Sequence, residues 1–186
     1  RADVRKWWGD CQHKLAAQGV GGIWNDMNEP SIFEKPFSLG GGRGGTLPLK
    51  AEQGEAVEVT THAELHNLYG SQMAQASYEG MRRSKPNERT FHLTRSGFAG
   101  VQRWSASWMG DNGSCWEHLE MSIGQLINMG ISGVPFVGAD IGGFYGNATP
   151  ELFARWMQIG ALYPFSRGHT CMGTNPQEPW QFGEQV

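Results

Sequence analysis

Residues 20–30 read Val20-Gly21-Gly22-Ile23-Trp24-Asn25-Asp26-Met27-Asn28-Glu29-Pro30, a short apolar run that passes directly into a cluster of polar groups. Val20 to Trp24 is long enough for a buried strand. The pattern returns three times. Thr90–Thr94 predicts a second strand and is followed by Arg95-Ser96. Trp104–Trp108 predicts a third, followed by Gly110-Asp111-Asn112, and Val134–Gly138 a fourth, followed by Ala139-Asp140. Each strand thus delivers an ionisable group at its carboxyl end. In a parallel sheet or barrel those ends lie on one face, where active sites are built.

Helices are expected between these strands. Asp3 to Gln18 carries Val4, Trp7, Trp8, Cys11 and Leu15 at helical spacing, with Gly19 as its stop. Thr61 opens a second helix, with Glu64 three residues on completing a capping box and Leu65, Leu68, Tyr69, Met73 and Ala76 on its apolar face. Pro86 marks its end. Trp116 to Met129 reads as a third helix that stops at Gly130. Thr149-Pro150 supplies a cap and a first-turn proline for a fourth, running to about Leu162. The short stretch from Arg95 to Trp104 leaves no room for a full helix. Strands alternating with helices imply parallel strands joined by crossovers, an α/β fold.

Composition narrows the function classes. The chain has 186 residues, 27 of them glycine, roughly twice the usual share of about 7%. With 39% apolar residues it is too apolar to be disordered, and it is too glycine-rich for a helical bundle. Net charge is −3 with no basic block, so nucleic-acid and membrane-surface partners have no electrostatic support. No apolar run approaches the roughly 18 residues needed to span a bilayer. The three cysteines, Cys11, Cys115 and Cys171, are far apart and form no CxxC pair, which argues against a disulfide framework and favours a reducing, cytoplasmic setting.

Tryptophans 24, 104, 108 and 116 crowd the segments that carry the carboxylates. Indole walls around several carboxylates suit a sugar, whose ring faces stack on aromatics while its hydroxyls bond to carboxylates and arginine. Two carboxylates from different strands, Asp26 and Asp111, satisfy the need of glycosidic chemistry for a nucleophile and a proton donor.

The motifs themselves resemble a known family. Trp24-Asn25-Asp26-Met27-Asn28-Glu29-Pro30 resembles the nucleophile signature of glycoside hydrolase family 31, the α-glucosidase family. Trp108-Met109-Gly110-Asp111-Asn112, with Trp116-Glu117 following, resembles its acid/base signature. Gly138-Ala139-Asp140-Ile141-Gly142-Gly143-Phe144 and Tyr163-Pro164-Phe165-Ser166-Arg167-Gly168-His169 resemble two further segments, in the family's order. The resemblance implies a partial (β/α)8 TIM barrel, about strands 4 to 7, with residues 1–186 a single segment of the catalytic domain incomplete at both ends. A complete barrel takes roughly 250 residues.

It also implies a retaining α-glucosidase. Asp26 attacks the anomeric carbon, Asp111 protonates the leaving oxygen, and the two carboxyls lie about 5–5.5 Å apart. Arg103, Asp140 and His169 hold sugar hydroxyls, and Trp24, Met27, Trp108 and Phe144 line the walls. Glu29, the competing carboxylate, is read as positioning or structural. The implied partners are an α-glucoside or oligosaccharide and the remainder of the parent catalytic domain; no metal or organic cofactor is implied. Alternatives are an α-xylosidase, a transglucosidase, an α-glucan lyase, or a non-catalytic sugar-binding fragment.

Three weaker signals are set aside. His62 and His66 stand four apart on one helix face, but Glu64 is misplaced for the HExxH zinc motif and already serves the cap. The glycine run at 40–45 lacks the Gly-Lys-Ser/Thr ending of a phosphate loop and reads as a flexible loop. Asn112-Gly113-Ser114 and Asn147-Ala148-Thr149 fit the glycosylation pattern, and a glycan on Asn112 would obstruct the proposed acid.

Overall fold

A computed structural model describes residues 1–33, 44–55 and 58–184. The chain divides into two compact units, Arg1–Ser105 and Ala106–Val186. Residues 40–43 of the glycine run, Gly40 to Gly42 and Arg43, lie outside the described residues.

The first unit opens with α1 (Ala2–Cys11) and α2 (His13–Ala17), where one continuous helix was expected. At Gln12 the backbone N–H bonds Gly9 O at 3.2 Å, a tightened turn, and the side-chain amide donates to Trp8 O. The amide competes for a carbonyl of the preceding turn, and the helix is interrupted there. Gly19 follows with a positive φ of 94°, as its reading as a helix stop requires.

Strand β1 (Gly22–Asn25) is followed by the antiparallel pairs β2 (Ile32–Phe33) with β3 (Gly44–Gly45) and β4 (Glu52–Glu55) with β5 (Glu58–Thr61). Helix α3 (His62–Ser84) begins with the expected capping box and ends just before Lys85-Pro86. Strand β6 (Phe91–Thr94) then lies parallel to β1, Gly22 opposite Phe91 through Asn25 opposite Thr94. β1–α3–β6 is therefore a crossover unit. Helices α1 and α3 meet at Gly9 and Gly80, where a Cβ on either glycine would strike the backbone of the other helix. The short connection after β6 holds a single 3-10 turn, Val101–Arg103.

The second unit repeats the parallel pairing. Strand β7 (Ala106–Trp108) lies beside β8 (Val137–Gly138), with helix α4 (Trp116–Ile131) between them in sequence. β8 is shorter than the expected 134–138 because pairing begins only past Pro135, which has no N–H to donate. Phe165 N–H reaches Val137 O, and Asp140 bridges Arg167 in parallel, so residues 165–167 run alongside the chain that continues β8. Helix α5 (Pro150–Gly160) starts as expected, Thr149 Oγ1 accepting from Leu152 N–H at 3.3 Å. Its buried face, Leu152, Phe153 and Trp156, packs with Leu119, Ala139, Ile141 and Tyr163 into the core of this unit. Among the described residues no helix is long and apolar enough to cross a membrane.

Candidate active site

In the Arg1–Ser105 unit the site residues sit at the carboxyl end of the β1–β6 pair. Trp24 is the third residue of β1 and is exposed; Asn25 ends the strand buried, and Asp26 and Met27 follow it half-buried. Met27 has a φ of 59°, a left-handed conformation unusual for a side-chain-bearing residue. The turn presents the Met27 N–H to Asp26 Oδ1 at 2.9 Å.

Asn28 holds this loop down. Fully buried, it donates to Thr94 Oγ1 at 2.8 Å and accepts from Ser96 N–H at 3.0 Å, tying the segment after β1 to the segment after β6. Below it, Asn25 Oδ1 accepts from Ser77 on α3, which in turn accepts from the Trp8 indole.

Arg95 is the centre of this half. Its Nε and Nη2 reach both oxygens of Glu29 at 2.6 and 3.2 Å, Nη2 also meets Ser31 Oγ and Met27 Sδ, and Nη1 stands 3.4 Å from Asp26 Oδ1. Burial pushes the Glu29 carboxyl up, but its hydrogen bonds to Arg95, Ser31 and its own backbone outweigh that and hold it below the usual carboxylate range. Arg103 lies in the turn before β7, exposed, with its guanidinium bonding Gly100 O and lying over the Trp104 ring.

In the Ala106–Val186 unit Trp108 closes β7, buried, and Asp111 follows three residues on, exposed. Asn112 is buried beneath the loop. Its amide donates to Asp140 O at 2.9 Å and accepts from Phe144 N–H at 3.0 Å, so one side chain joins the Asp111 loop to the loop after β8. Gly113 N–H donates to His118 Nδ1 on α4 at 2.6 Å. Gly143, at a φ of 94°, lets this loop press on the backbone of Gly113 and Ser114, where any side chain would collide.

Asp140 differs from the other strand-end groups. Its side chain is 1% exposed, and Oδ1 accepts from Arg167 Nη2 at 2.7 Å and Nε at 3.1 Å. The Arg167 guanidinium lies over the Trp108 and Phe165 rings, 5.0 and 5.6 Å from their centroids. Phe144 stacks on His169 at 5.2 Å. The second unit therefore joins Trp108 to Asp140 through Arg167, and Phe144 to His169.

Sequence reasoning noted Arg95 only as one of four strand-end ionisable groups, and quoted Arg167 and Asn112 inside motifs without a role. For Arg95 the available signal was a basic residue immediately past one strand end, in a chain that places carboxylates past the others. Among the described residues His62 joins no group of three or more metal-ligating side chains: buried, it is bonded by Thr46 Oγ1 and Gln53 Nε2 and meets His66 edge-on. A groove of about 1240 Å³ lined by Trp7, Trp8, Leu65, Tyr69 and Met73, among others, contains none of the expected site residues.

Comparison with known proteins agrees with the motifs. The model of the glycosyl hydrolases family 31 TIM-barrel domain matches residues 1–186. Alpha-glucosidase 2 of Bacillus thermoamyloliquefaciens is 47% identical over 98% of this chain and 22% of its own length. The crystal structure of a Tris-bound glucosidase II alpha subunit superposes with a TM-score of 0.85 at 39% identity, over 99% of this chain and 19% of that one. The family 31 alpha-glucosidase of Bacteroides thetaiotaomicron superposes at 0.80 with 46% identity, over the whole of this chain and 28% of its own. The chain thus spans about a fifth of the length of the curated relatives it matches. With the motifs in family order, their strand-end positions and a family match over every residue, the chain belongs to the glycosyl hydrolase family 31 TIM-barrel domain family.

Proposed function

We propose that the protein carrying this chain is a retaining α-glucosidase that removes terminal α-linked glucose from oligosaccharides. The observation that carries this reading is Asp26, held by the Met27 N–H and the Arg95 guanidinium just past the carboxyl end of β1, in a segment that resembles the family's nucleophile signature. The names of the relatives support the substrate class.

In the proposed reaction a carboxylate oxygen of Asp26 attacks the anomeric carbon and the glycosidic C–O bond breaks. Its electron pair stays on the leaving oxygen, which takes the proton of Asp111. Water then attacks the same carbon and gives a proton to the Asp111 carboxylate. The Asp26 ester bond breaks, and Asp26 departs as carboxylate. Arg103, His169 and the Asp140–Arg167 pair hold sugar hydroxyls, with Trp24, Met27, Trp108 and Phe144 as walls.

The test is trapping with a mechanism-based fluoroglucosyl fluoride, read by peptide mass spectrometry. A label on the peptide containing Asp26 is expected. Asp26→Asn should abolish turnover, and Asp111→Ala should impair substrates with poor leaving groups far more than activated aryl glucosides. Hydrolysis of maltose-type substrates by both variants at the parent's rate would overturn the reading.

A further inference from the structure

We infer that His118, the third residue of α4, is a positioning residue for Asp111; this rests on Asp111 being the proton donor and base of the reaction proposed above. The Gly113 N–H donates to His118 Nδ1 at 2.6 Å. A backbone N–H can only donate, so Nδ1 is the acceptor and the ring proton belongs on Nε2. The carbonyl of the same peptide unit, Asn112 O, accepts from the N–H groups of Phe144 and Tyr145 at 2.8 and 3.1 Å. The Asn112–Gly113 peptide is therefore held on both sides, by the first turn of α4 and by the loop after β8.

Asp111 hangs from that peptide. On its other side stands Gly110, with a φ of 76°, and just before it the Met109 N–H donates to Gly138 O at 2.9 Å. A glycine hinge does not by itself fix the direction of the next side chain. The clamped peptide beyond Asp111 does. Tyr145 closes over the clamp: its ring meets His118 edge-on, 6.2 Å between centroids, and a Cβ on Gly113 would stand 2.9 Å from its Cζ. In a capping box the third side chain of a helix reaches back to the N–H of its own cap residue. The cap residue of α4 is Cys115, and His118 reaches two residues further, into the loop that carries Asp111.

The experiment uses the natural full-length protein with His118→Asn, His118→Gln and His118→Leu, and Asp111→Ala as the reference. Sites are counted with the fluoroglucosyl trap, whose fluoride departs without a proton donor, and rates are expressed per counted site. Asparagine carries its amide oxygen on Cγ, where histidine carries Nδ1, and keeps the acceptor. Glutamine carries it one carbon further out, and leucine has none. For the Gln and Leu variants the expected loss in kcat/KM is roughly 10-fold or more on maltose, part of the roughly 10²–10⁴ that a general acid supplies, and under about threefold on an activated aryl glucoside. Turnover of the aryl glucoside slows at the second step, where Asp111 is the base. Azide restores it, because azide bonds the anomeric carbon with no proton to lose as Asp26 departs. His118→Asn should stay within about threefold of the parent on both substrates. A merely structural role would lower the site count, or both substrates equally. Equal losses on the two substrates, parent rates in the Gln and Leu variants, or an Asn variant as impaired as Leu would overturn the inference. An Asp111→Ala protein that spares maltose as well as the aryl glucoside would instead overturn the function on which it rests.

Discussion

Replacing Arg167 with methionine isolates the most deeply buried ion pair of the second unit. Asp140 is 1% exposed on its side chain, and two guanidinium nitrogens meet its Oδ1 at 2.7 and 3.1 Å. Methionine fills similar volume against Trp108 and Phe165 but leaves the carboxylate charged and buried. Removing one partner of such a pair costs about 3–5 kcal/mol, because the remaining charge keeps its desolvation cost without its compensation. At about 2–4 °C per kcal/mol for a domain of this size, the melting temperature should fall by roughly 6–20 °C. Asp140→Asn removes the buried charge instead and leaves an arginine that is 18% exposed and can reach water, so its loss should be smaller. The double variant Asp140→Asn/Arg167→Met should melt above Arg167→Met alone. Thermal denaturation followed by tryptophan fluorescence completes the cycle. An Arg167→Met protein that melts within two or three degrees of the parent, or a double variant that loses the sum of the single losses, would refute the reasoning.

Two further outcomes follow from the same structure. His92 is buried, its ordinary pKa of 6.5 is lowered by burial to about 4, and among the described residues its Nδ1 has no hydrogen-bond partner. The unfolded chain therefore binds more protons than the folded one between pH 6.5 and about 4. Stability should be full above that window and fall with pH through it, and His92→Asn should flatten this part of the urea-midpoint profile. Of the two glycosylation patterns, Asn112 is 8% exposed with its amide bonded to Asp140 O, whereas Asn147 is exposed. Expression in a glycosylating host followed by glycopeptide mapping should find sugar on Asn147 and none on Asn112; occupied Asn112 in active protein would contradict its buried role.

Much of the architecture was legible in one dimension. The four strand segments, the Thr61–Glu64 capping box and the Thr149-Pro150 helix start are local signals, set by side chains within a few residues of one another. Two departures came from backbone chemistry that the apolar pattern does not carry: the break at Gln12, where a side-chain amide competes for a carbonyl, and the late start of β8 after Pro135. The candidate site was legible as a set of residue types at strand ends. Which of them point at one another was not.

The sequence alone determined the alternating α/β order, the strand-end carboxylates and the family motifs, because these depend on residue type and spacing. Only the tertiary structure decided that Arg95 divides its guanidinium between Glu29 and Asp26, that Asp140 is buried under Arg167, and that Asn112 joins two loops. Those pairings connect residues from 27 to 69 positions apart. Their sign and strength depend on burial and on which donor faces which oxygen, quantities that do not exist until the strands are paired.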